Sequence, residues 1–85
     1  MKIILLFPSI HYVLKAEKFA KQAGMPVELI PVPKEISSDC GMALEVEAEE
    51  LNSLIAFLTE RGLKPTSLVR RKEQGFEILE DWTLS

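Results

Sequence analysis

Pro26-Val-Glu-Leu-Ile-Pro-Val-Pro33 is the stretch on which the fold turns. Val27, Leu29, Ile30 and Val32 give it β character, yet Pro31 and Pro33 each lack a backbone N–H. The two prolines are two residues apart, so both missing donors point to the same side. A strand flanked on both sides would lose ladder bonds there, whereas an edge strand turns that side to solvent. The stretch therefore predicts a strand at the edge of a sheet.

Before this edge lies Ile3 to Phe7, short, continuously apolar and rich in β-formers, as suits a central strand. Pro8 ends the run, and Ser9 stands at a helix N-cap position, where its hydroxyl is expected to accept a first-turn N–H. A helix is predicted from Ile10 to Ala23. Val13, Ala16, Ala20 and Ala23 recur at helical spacing, Leu14 and Phe19 widen the stripe, and Gly24 is the expected C′ residue.

After the edge strand, a polar segment from Lys34 to Gly41 leads into a third strand, Met42 to Glu47. Leu44 and Val46 alternate there with Glu45 and Glu47, which predicts one buried face and one wet face. Glu47, Glu49 and Glu50 mark the start of a second helix with the apolar stripe Leu51, Leu54, Ile55 and Leu58, flanked by Phe57 and closed by Gly62. Thr66 to Arg70 reads as a fourth strand. Arg70-Arg71-Lys72 reads as solvated charge at its end.

The order βαββαβ predicts an α+β fold, a ferredoxin-like two-layer sandwich with an antiparallel four-stranded sheet and both helices on one face. Strands one and three are then central, and strands two and four are edges. Residues 1–72 are expected to form this domain. Residues 73–85 form a short C-terminal extension, in which Phe76 to Trp82 supplies a further strand at the sheet edge or mediates self-association.

Composition excludes several function classes. A chain of 85 residues with 47% hydrophobic and 27% charged residues is sized for one globular domain. A net charge of −3 argues against nucleic acid as the main partner, which needs a concentrated basic face. The apolar run that stops at Pro8 is too short for a signal sequence, and no stretch is long enough to span a bilayer. A single cysteine forms no internal disulfide and fits a reducing, cytoplasmic setting.

That cysteine, Cys40, lies in the polar loop Ser37-Ser-Asp-Cys-Gly41 between two predicted strands. Loops on a rigid scaffold are where chemistry is presented. In the predicted topology Pro8, Ser9 and His11 emerge at the same end of the sheet as this loop. The first helix's N-terminus and Lys34 would favour the thiolate, while Glu35 and Asp39 would oppose it. The expected sum is a mildly activated thiol. Ser37 and Ser38 read equally as turn formers or as donors to a bound anion. One Cys, one His and Asp39 do not complete a tetrahedral metal site, so neither a metal nor a cofactor is expected. No nucleophile–base–orienter set or Gly-rich phosphate loop is present, which argues against a self-sufficient enzyme.

At Phe7-Pro-Ser-Ile-His11, Lys15-Ala-Glu-Lys18, Ile30-Pro-Val-Pro33 and Ile36-Ser-Ser-Asp-Cys-Gly41 the chain resembles a small bacterial and archaeal family of selenium/sulfur carrier protein-like domains. The resemblance covers roughly residues 2–70. It implies that Cys40 carries sulfur or selenium as a persulfide or selenosulfide, supported by Ser9, His11, Lys34, Ser37, Ser38, Asp39 and Gly41. Donor and acceptor proteins of sulfur or selenium metabolism would be its partners. The alternative is a non-catalytic module that binds a small anion or a protein, with Cys40 incidental.

Overall fold

The computed structural model describes residues 1–36 and 41–81. Its elements are β1 (Lys2–Leu6), α1 (Ile10–Gln22), β2 (Glu28–Pro31), β3 (Met42–Glu47), a 3-10 turn (Ala48–Glu50), α2 (Leu51–Glu60), β4 (Ser67–Arg71) and β5 (Phe76–Asp81). The strands form one antiparallel sheet in the order β2-β3-β1-β4-β5. The fold is α+β and consistent with a ferredoxin-like sandwich.

The edge reading of β2 holds, because β2 pairs with β3 alone. The Val32 N–H donates to the Gly41 carbonyl at 3.0 Å, so the ring nitrogens of Pro31 and Pro33 on either side face away from β3. The expectation that the fourth strand is an edge is corrected. β5 pairs with β4 from Arg71↔Phe76 to Ser67↔Asp81, with a register shift at Leu68/Val69, and β5 takes the edge. Trp82 lies outside the described residues.

Both helices pack on one face of the sheet. Val13, Ala16 and Ala20 of α1 and Leu54 and Leu58 of α2 join Ile3, Leu5, Leu44, Val46 and Leu68 in the main core. The three small contact residues of α1 let that helix lie close over β3. Each helix ends in a Schellman motif. Met25 N–H reaches Ala20 O at 2.9 Å across Gly24, and Leu63 N–H reaches Leu58 O at 2.9 Å across Gly62. The two glycines have φ +77° and +72°, the left-handed region in which a Cβ is strained.

Three readings of the sequence need correction. Leu14 and Phe19 do not widen the buried stripe of α1 but are 45% and 37% exposed. At 100° per residue they lie roughly a quarter turn or more from the buried centre, beyond the reach of the sheet. Ala23 is likewise exposed, as the C-cap residue beyond the last turn. In β3 the face predicted to be wet is covered at Glu45, which is buried. Ile4, Leu6, Ala43 and Val69 form a second apolar cluster on that face, joined by Ile30, Val32, Ile36 and Phe76. The Arg71 guanidinium stands 3.2 Å from Glu45 Oε2, close enough for ion pairing though without hydrogen-bond alignment. Arg70 pairs with Glu77, so both arginines meet a carboxylate while their side chains stay partly solvated, as expected for strand-end charge.

At the opposite end from the β2–β3 connection, Lys2 Nζ lies 3.1 Å from Glu47 Oε1. The hydrogen bond from Lys2, followed by that from the N-terminal ammonium, holds the Glu47 carboxyl below the usual glutamate value. The same bond raises Lys2. A lowered carboxyl stabilises the fold at neutral pH, and that gain is lost as pH falls through the acid range. The raised lysine loses its share only as pH rises past the ordinary lysine range. Both groups are exposed, so the effect is small. Glu47→Gln is expected to flatten the stability–pH profile between about pH 5 and pH 3. Unfolding midpoints that fall as steeply in the variant as in the wild type would show that the bond does not act.

Candidate functional site

Three chain segments converge at one end of the sheet. The β1–β3 ladder runs from Lys2↔Glu47 to Leu5↔Leu44, so the end of β1 and the start of β3 lie at the same end of the sheet. On the other side of β1, Leu6 faces Ser67. Thr66 clamps the strand end there, with its N–H at 2.8 Å and its hydroxyl at 3.2 Å from the Leu6 carbonyl. The start of α1, the β2–β3 connection and the approach to β4 thus share this end, as the element order required.

The connection from Pro33 to Gly41 is tied at its base by the Val32–Gly41 bond. It begins with a tight turn in which Ile36 N–H reaches Pro33 O at 3.0 Å. Lys34 and Glu35 are exposed at the turn, and Ile36 packs back onto the second apolar cluster. Gly41 closes the connection with φ +76°, and a Cβ there would meet nothing within 4 Å. Its requirement is therefore conformational, a left-handed residue that leads the chain into β3.

Ser37, Ser38, Asp39 and Cys40 lie outside the described residues. The structure brings Ser9, His11, Lys34 and Gly41 to the same end of the sheet. Ile36 itself packs on the helix-free face, whereas α1 leaves on the other. His11 is exposed in the first turn of α1 and contacts no charged group among the described residues.

Ser9 occupies the N-cap position with extended backbone (φ −155°, ψ 166°), and its carbonyl accepts the Val13 N–H at 3.2 Å. Its hydroxyl makes no capping bond, contrary to expectation. Ser9→Ala is accordingly expected to cost no more than about 0.5 kcal/mol, the low end of the range for cap removal. A fall in the denaturant midpoint equivalent to ~1–2 kcal/mol would show that the hydroxyl caps the helix in solution.

Two supports of this end escaped the reading of the sequence, Thr66 and Ile36. The signal for Ile36 was present, since it is the one apolar side chain in the polar run from Lys34 to Gly41. Nothing marked Thr66, whose bond spans sixty residues of chain. At the far end an open cleft of about 330 Å³ is lined by Lys2, Pro26, Val27, Glu28, Glu45 and Glu47 among others. Two of its carboxylates are already paired, Glu47 with Lys2 and Glu45 with Arg71. Among the described residues no cluster of His, Cys, Asp or Glu is arranged to hold a metal ion, and no helix is long and apolar enough to cross a membrane.

These features define a class, a small α+β domain whose one cysteine falls in a connection anchored at both ends to a rigid sheet. Within that class the chain belongs to the family described as "Putative Se/S carrier protein-like", whose model matches residues 2–70. The match ends within β4, so β5 lies beyond it. No curated protein and no solved structure shows a significant match to the chain.

Proposed function

We propose that the protein is a thiol-based carrier in which Cys40 holds a sulfur or selenium atom and passes it to a partner enzyme. Membership of the carrier-like family is the observation that carries this reading. The anchoring of the connection at Val32, Ile36 and Gly41 supports it, since a carrier thiol must be presented at a reproducible place. The two serines and the glycine beside the thiol give its backbone room to turn.

One cysteine is sufficient for the chemistry. A donor enzyme presents a cysteine persulfide, and the Cys40 thiolate attacks its outer sulfur. The new S–S bond forms on Cys40 as the donor's S–S bond breaks, and the donor leaves as a thiolate. The sulfur moves at the zero-valent level, so the step needs no external oxidant or reductant. A donor-bound selenium atom would move in the same way. The test is intact-protein mass after incubation with a cysteine desulfurase and cysteine, or with a selenocysteine-cleaving lyase and selenocysteine. One added chalcogen atom on Cys40, removed by a reducing thiol, is the expected result. An unchanged mass with both donors would overturn the reading.

A further inference from the structure

We infer that the outer face of α1 is a docking surface for an acidic surface on the protein that loads the carrier. The inference rests on the carrier reading and adds to it where and by what chemistry the donor binds.

Charge and apolar surface are distributed unevenly over this domain. Tyr12, Leu14 and Phe19 of α1 are 41%, 45% and 37% exposed, whereas α2 exposes no large apolar side chain. The exposed side of α2 is instead small and mostly uncharged, with Asn52, Ser53, Ala56 and Thr59. On α1 the exposed arc runs from Leu14 through Lys18, His11 and Lys15 to Phe19 and Tyr12, at 100° per residue. Apolar side chains thus border two lysines and a histidine on one helix face. Apolar anchors with a polar surround are the usual anatomy of a protein interface.

The lysines of this face are also uncommitted. Lys2, Lys21, Arg61, Arg70 and Arg71 each have a carboxylate within 4 Å, while no ion pair among the described residues engages Lys15 or Lys18. The carboxylates of Glu28, Glu45 and Glu47 gather at the far end of the sheet, around the start of β1. A chain of net charge −3 therefore presents a locally positive face on the helix that starts at the end of the sheet shared with the β2–β3 connection. That separation of charge orients an approaching acidic surface toward α1. Two free lysines and a histidine are too few for a lipid surface, which takes about four to eight basic residues. They are also too few for a nucleic acid backbone on an acidic chain.

The experiment measures the initial rate of sulfur loading against the concentration of a cysteine desulfurase supplied with cysteine. Wild type is compared with Lys15→Glu/Lys18→Glu, Lys18→Glu and Lys72→Glu. Lys72 is exposed at the far end of β4, so Lys72→Glu matches Lys18→Glu in charge but not in place. The double variant is expected to need roughly tenfold more desulfurase for half-saturation at low salt, and the gap should close near ~0.5 M salt. Lys18→Glu should show part of the effect and Lys72→Glu none, with thermal midpoints unchanged throughout. A wild type that is loaded no better than the double variant overturns the docking surface and leaves the carrier reading intact. A wild type that is not loaded at all overturns the carrier reading, and this inference falls with it. Binding of phosphatidylserine vesicles or transfer RNA that the same two substitutions abolish would overturn the assignment to a protein partner.

Discussion

Ile4→Ala should destabilise the domain by about 2–5 kcal/mol, as much as a truncation beneath the helices. Ile4 is 0% exposed although no helix covers its face of the sheet. It lies between Glu45 on β3 and Val69 on β4, with Leu6 and Ala43 in the same cluster. Truncation removes buried methyl groups and leaves a cavity that a rigid central strand cannot collapse to fill. A domain of this size is stable by only about 5–15 kcal/mol, so the loss is a large share of the total. The measurement is urea unfolding, read as a fall in midpoint at constant slope. Ile78, on β5, is 65% exposed, and Ile78→Ala should change stability by no more than about 0.5 kcal/mol. A cost below ~1 kcal/mol for Ile4→Ala would mean that the second face is open to water and that the cluster there does not form.

This result bears on how far the fold can be read from the chain. The unbroken run Ile3 to Phe7 already implied a strand buried on both faces, and the prolines of β2 already implied an edge. Both follow from local geometry, the period of two and the missing N–H. The alternation Leu44-Glu45-Val46-Glu47 obeys the same rule and misled, because it reports on neighbours within the sheet and not on what folds over it. Val32, Ile36 and Phe76 come from connections and from a strand beyond the family match, and they cover Ile4, Leu6, Ala43 and Val69 on that face, where Glu45 is buried beside Arg71. Leu14 and Phe19 show the converse. Helical spacing says which side chains share a face, but the width of the contact depends on how closely the helix lies on the sheet.

The candidate site was legible in the same proportion. Element order alone placed the start of α1 beside the β2–β3 connection, because adjacent strands fix which connections share an end. It did not show that Ile36 packs against the helix-free face, opposite the face on which α1 begins. The field at a helix N-terminus is strong only within the first turn. Lys34, within the same connection as Cys40, is the second cation that the sequence places near the thiol.

Cys40→Ser should abolish sulfur loading completely while leaving the unfolding midpoint within about 0.5 kcal/mol of wild type. The chain has no second thiol, and a serine hydroxyl neither ionises near neutral pH nor forms a persulfide. The connection is held at Val32, Ile36 and Gly41, and Cys40→Ser exchanges one atom, so loss of function should not bring loss of fold. Alkylation by iodoacetamide tests the same thiol without any partner. In the native protein it should proceed at a rate that rises with pH as the thiolate forms. Lys34→Ala removes a nearby cation, raises the thiol's pKa and should slow alkylation at neutral pH by roughly twofold to fivefold. Asp39→Asn removes an anion and should speed it by a similar factor. The opposite signs matter more than the sizes, because a general loosening of the connection would move both rates the same way. Cys40 that alkylates only when the protein is unfolded would be a buried, inert thiol. A desulfurase could not reach it, and the carrier reading would fall.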